Sequence, residues 1–164
     1  MLPVRRTIGT LATMLRAPRR GVWPVIAFTL WTLFVWLNRI SNALHDHAAS
    51  SAATAFSVVL SLSVVALAVA AAVVAVRGWS RPWSGSERVL LKAAAAWAGG
   101  LWLVLVPKIL IDGRPAGFTG NLAAFKAVHV VLGVISVALA AWVWRSASTP
   151  APVPEESLPA TSAR

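Results

Sequence analysis

The stretch "FKAVHVVLGVISVALAAWVW", Phe125 to Trp144, is apolar for long enough to cross a bilayer, yet Lys126 and His129 stand in its first turns. Other polar groups sit near the ends of apolar runs. Asn38, Arg39 and Asn42 close one run, and Lys108 follows Pro107 near the end of another, one turn before Asp112. Ammonium, guanidinium and imidazolium groups donate charge-assisted hydrogen bonds, so cations and amides gathered at one depth would form an outward-facing vestibule for an anion. The candidate site is therefore Arg39, Asn38, Asn42, Lys108, Lys126 and His129. Its candidate guests are an anionic lipid or a small acid, whose retention Arg39→Gln and Lys126→Gln should each weaken. His129 would add a cation below the ordinary imidazole pKa of ~6.5. A structural alternative stands beside this one: basic side chains near helix ends snorkel to the headgroups, and Lys108 with Asp112 can be a local ion pair.

What must hold these residues is a membrane bundle. The chain is 58% hydrophobic and 12% charged, with a mean hydropathy of +0.73, where a soluble domain averages about 25% charged. A helix rising ~1.5 Å per residue needs roughly 20 apolar residues to cross the hydrocarbon. Four runs meet that length, near Val22–Leu44, Ala53–Val76, Val89–Ile111 and Leu122–Trp144, and imply an all-α, polytopic membrane protein. Arg5, Arg6, Arg16, Arg19 and Arg20 precede the first run, and Arg77, Arg81, Arg88 and Lys92 surround the second connection. Cationic flanks stay in the cytoplasm, so both termini are expected there, in a multi-pass protein of the plasma membrane. Trp23, Trp79, Trp83, Trp142 and Trp144 then fall at the inner interface, where indoles prefer to sit. On this map a reporter after Arg164 is cytoplasmic and a cysteine at Gly117 reacts from outside.

The organisation around the spans follows from composition. Residues 1–21 are a basic leader in which Ile8, Leu11, Ala12 and Leu15 recur at helical spacing; it either lies on an anionic leaflet as an amphipathic helix or only sets orientation. Residues 145–164, rich in Pro, Ala and Ser, read as a disordered cytoplasmic tail after the 22–144 bundle. Ser84, three residues before Glu87, has the spacing of a capping box. Lys126, His129, Gly133, Ser136 and Ala140 share one face of the last helix, and Ser50, Thr54, Ser57, Ser61, Ala68, Ala72 and Ala75 run down the second. Small residues let membrane helices approach closely, so these stripes should face one another or the bundle interior. A shift of 69 residues superposes Arg39 on Lys108 and Phe56 on Phe125, which would make two parallel helical hairpins.

Several chemistries are disfavoured. With no cysteine there is no thiolate site or C-x-x-C-H haem attachment, and no nucleic-acid-reading motif accompanies the +10 charge. No triad, phosphate loop or H-E-x-x-H appears, and the inner two-thirds of the spans hold no acid for proton coupling. "LWTLFVWLNRISNAL" in the first span and the Phe125–Trp144 stretch resemble the matching segments of small, four-span actinobacterial integral membrane proteins of uncharacterised function. The resemblance covers most of the bundle and neither leader nor tail; it implies the four-span fold and no particular chemistry. The expected function is a non-enzymatic binding or accessory subunit with no cofactor. Candidate partners are the lipid bilayer, another membrane protein or a second copy. The competing class is a small redox component with haem or metal, or a transport component.

Overall fold

The computed structural model describes residues 21–47, 49–112 and 120–149. The leader before 21, the tail beyond 149 and most of the third connection, 113–119 with Arg114 and Gly117, lie outside the described residues. The described residues form α1 (Val22–His45), α2 (Ser51–Arg77), α3 (Gly85–Ile111) and α4 (Leu122–Ser148), with no strand among them. All four helices are long and apolar enough to cross a membrane. α4 continues beyond Trp144 to Ser148, whose hydroxyl donates to Trp144 O at 2.9 Å.

The helices begin where side chains can satisfy orphan backbone N–H groups. Ser50 accepts from Ala53 N at 3.3 Å, and Asn121 accepts from Ala123 N at 2.9 Å and Ala124 N at 3.2 Å. α1 carries Pro24 in its first turn, where a missing N–H costs nothing. The expected capping box is formed: Glu87 N donates to Ser84 Oγ at 3.3 Å and Ser84 N to Glu87 Oε2 at 2.8 Å. Arg81 then grips the same carboxylate with both Nη atoms, at 2.9 and 2.5 Å. That hydrogen bond pushes the Arg81 guanidinium above its already high pKa. Ser84→Ala should lower stability by about 1 kcal/mol. Glu87→Ala, which removes the box and the Arg81 fork together, should cost more, about 1–3 kcal/mol. Thermal unfolding in detergent reads both.

Neighbours in sequence are neighbours in space. Packing is densest within the α1–α2 and α3–α4 hairpins, which join through α1 against α4 and α2 against α3. Small residues allow the close contacts. A Cβ on Gly99 would lie 3.0 Å from Ala140 Cβ, and one on Gly133 would collide with Val106 Cγ2 and sit 3.2 Å from Trp102 Cε3. Each seam between hairpins carries an indole-to-hydroxyl bond, Trp31 Nε1 to Ser136 Oγ at 2.9 Å and Trp97 Nε1 to Ser63 Oγ at 3.1 Å. Gly133, Ser136 and Ala140 are buried as their stripe predicts, and so are Ser61, Ala68 and Ala75 of α2. The stripes use the interior and their ring neighbours rather than each other: the α4 stripe meets α3 at Gly133 and Ala140 and α1 at Ser136. Ala72 is only half-buried, and Val64, Ala71 and Val74 share the buried α2 face instead.

The two ends of the bundle differ. At the α2–α3 connection Trp83 packs against Gly21 and Gly78, and Lys92 lies 5.5 Å from the Trp144 ring. The opposite end, where α1 meets α2 and α3 meets α4, carries the polar residues considered as a site.

Candidate anion-binding cavity

A cavity of about 730 Å³ opens at that end and is walled by all four helices. Arg39, Asn38 and Asn42 of α1 and His129 of α4 line it together, with Thr54 and Ser57 of α2. From Asp46 at the rim to Val35 at the floor, ~1.5 Å per residue gives a depth of roughly 16 Å, about half a bilayer core. Val35, Trp36, Trp102, Leu105 and Leu132 make the apolar floor.

Arg39 is placed by Trp36. Its Cζ lies 5.8 Å from the Trp36 ring centroid, within cation–π range, and the Trp36 ring meets Trp102 edge-on at 6.4 Å. Among the described residues the Arg39 guanidinium makes no hydrogen bond or ion pair, and its Nε is buried without a partner. Trp102 is 5% exposed, and its Nε1 is likewise buried without a partner. Gly133 abuts the Cε3 edge of Trp102, so Nε1, on the opposite edge of the indole, is turned away from that contact. An unsatisfied buried donor typically costs ~1–3 kcal/mol. Two residues that line one cavity thus each carry a buried N–H without an acceptor.

His129 is oriented by its own helix. Its Nδ1 lies 2.8 Å from Phe125 O, and because a carbonyl only accepts, Nδ1 is the donor. The Phe125 ring, 4.1 Å away between centroids, fixes the plane. Asn38 Nδ2 donates to Phe34 O at 2.6 Å, leaving its carbonyl oxygen as the remaining acceptor.

The two lysines stand elsewhere. Lys108 pairs with Asp112 at 2.8 Å, the two side chains being 67% and 54% exposed, and neither lines the cavity. Lys126 Nζ donates to Leu110 O at 2.8 Å and so caps the last turn of α3, where carbonyls lack intrahelical partners and the helix dipole is negative. Neutralising Lys108 should change stability by ~0–1 kcal/mol. Neither Lys108→Gln nor Lys126→Gln is expected to alter ligand retention, which native mass spectrometry can compare with Arg39→Gln. The half-repeat register thus pairs Arg39, turned inward, with Lys108, turned outward.

Trp36, Trp102, Thr54, Ser57 and Asp46 belong to the cavity but not to the six residues chosen from sequence. Trp102 had a legible signal: it continues the spacing of Ala95, Ala98 and Gly99 on the small-residue face of α3. Asp46 was legible as a polar residue of the first outer loop, but its place at the rim depends on where α1 ends. Among the described residues no three His, Asp or Glu converge as metal ligands. His45 spends a ring nitrogen on Ser41 O at 2.7 Å and lies outside the cavity that holds His129. Two facing imidazoles are what a bis-histidine haem needs, so the protein purified after growth with ample haem is expected to show no Soret band. A strong band lost in His129→Ala would contradict this. No family model, curated protein or solved structure matches the chain. The chemistry of the site therefore rests on its own groups.

Proposed function

We propose that this chain is a non-enzymatic binding subunit of the plasma membrane whose cavity takes a single anionic group. The observation that supports it is a pair of buried, unpartnered donors, Arg39 Nε and Trp102 Nε1, on two residues that line one cavity. An anionic oxygen there would accept from the guanidinium and the indole and from an Asn42 amide N–H. It would replace water in a partly apolar pocket, where such bonds are strong. In this proposal the basic flanks keep both termini cytoplasmic and the cavity faces outward. The resemblance to small four-span actinobacterial proteins is part of the same proposal.

The test is native mass spectrometry of detergent-purified protein. Wild type is expected to carry an anionic adduct, and Arg39→Gln to lose it, since removing one partner of a desolvated charged hydrogen bond costs ~2–5 kcal/mol, or roughly 30-fold or more in affinity. Equal retention by the two proteins would overturn the proposal. Trp102→Phe keeps the aromatic floor and removes only the N–H; it should weaken retention less than Arg39→Gln.

A further inference from the structure

We infer that the guest of the Arg39 cavity is a monocarboxylic acid with an apolar body, its carboxylate set against Arg39 in the inner part of the cavity and its body filling the space toward the rim. The inference rests on the anion-binding function proposed above and adds the ligand class.

Size is the first ground. A small inorganic anion takes the place of roughly two or three waters, each with a share of ~30 Å³, so most of a cavity of about 730 Å³ would stay filled with water. Pockets of ~300–1,000 Å³ are those that enclose a whole organic molecule.

The positions of the donors decide which end of the guest goes in first. Arg39 rests on the floor residue Trp36, and Trp102 belongs to the floor itself, so both residues with an unpartnered N–H stand in the inner part of the cavity. The lining nearer the rim is of another kind. Ala53, Ile109 and Phe125 are the lining residues closest to the outer ends of α2, α3 and α4, and Ala43 joins them from α1 one turn beyond Arg39. All four are apolar. Thr54 and Ser57 interrupt this lining, but a helical hydroxyl can turn to the carbonyl one turn back, as Ser61 does to Ser57 O at 2.7 Å, and needs no polar guest. A guest charged at one end alone matches this order.

The charge is matched to one carboxylate. Among the described residues that line the cavity, Arg39 is the one with a permanent positive charge. Its Nε–H and the adjacent Nη–H form the edge that meets the two oxygens of a planar carboxylate in parallel, and Nε has no partner within the protein. Burying the body then adds affinity that a short acid lacks, because apolar surface leaves water.

The experiment compares octanoate with acetate, which share a carboxylate and differ in the body. Protein in lipid nanodiscs is dialysed at neutral pH, where both acids are ionised, against either acid carrying a radiolabel, and empty nanodiscs correct for uptake by the bilayer. Octanoate is expected to bind wild type about a hundredfold or more tightly than acetate, so that equal acetate does not displace it. Arg39→Gln should weaken octanoate about tenfold or more. Ala43→Phe and Ile109→Trp, on different helices, each add bulk to the outer lining without changing charge; each should weaken octanoate several-fold and leave acetate as it was. Displacement of octanoate by equal acetate, binding of acetate alone, or undiminished octanoate binding in both filled variants overturns the ligand class and leaves the anion site standing. Binding of neither acid to wild type, or equal octanoate binding by wild type and Arg39→Gln, removes the anion site itself and this assignment with it.

Discussion

Gly133→Leu should dismantle the α3–α4 contact that closes the floor of the cavity. A Cβ alone at this position would collide with Val106 Cγ2 and stand 3.2 Å from Trp102 Cε3, and leucine adds a branched group beyond it. Gly133 and Ser136 lie on the buried face of α4, so the new side chain cannot turn to lipid without rotating the helix. Overpacking a filled interior costs typically ~1–3 kcal/mol, and relief by helix separation would also forfeit the close Gly99–Ala140 approach. The expected result is a markedly lower melting temperature in detergent, with a changed near-ultraviolet dichroism as Trp102 loses its seat. Gly133→Ala should be milder, because Val106 can adopt another rotamer. Identical melting of Gly133→Leu and wild type would mean that α3 and α4 do not pack as described.

Trp36→Ala is expected to be the most damaging change in the cavity wall. Trp36 is 1% exposed; its ring meets Trp102 edge-on and lies beneath the Arg39 guanidinium. Truncating a buried tryptophan costs ~3–5 kcal/mol in soluble proteins, mostly through the void it leaves. In a bilayer the loss is one of packing rather than of apolar transfer, because lipid is as apolar as the interior. The aromatic pair and the cation–π contact, each worth ~0.5–2 kcal/mol, disappear with the same ring and do not simply add. Both stability and anion retention should therefore fall, although Arg39 is still present. Arg39→Gln should reduce retention with little effect on melting, because it removes a charge from a half-buried position and leaves the ring in place. A Trp36→Ala protein that keeps its anion would show that the ring does not position the guanidinium.

The four spans and most of their ends were legible in the amino-acid order because they depend on local quantities. Apolar run length sets a helix that crosses hydrocarbon, and in lipid the backbone has no alternative to internal hydrogen bonding. Ser84 and Glu87 announce the start of α3 through a motif that closes over three residues, without help from the rest of the chain. The small stripe of α4 was equally readable, since Gly133, Ser136 and Ala140 share a face by helical geometry alone. Periodicity groups residues on a face but does not say which neighbour that face meets. Only tertiary packing decided that the α4 stripe faces α3 and α1 rather than the α2 stripe. The same rotation of each helix about its axis separated cations that look equivalent in the sequence. Arg39 is turned onto Trp36 and into the cavity, while Lys108 is turned out to Asp112 and Lys126 reaches the end of α3. Spacing alone put Trp102 on the small-residue face of α3, but what seats its ring in the site is the facing helix. Gly133 on the facing helix leaves room for its ring beside Trp36, and the indole N–H is then buried with nothing to donate to.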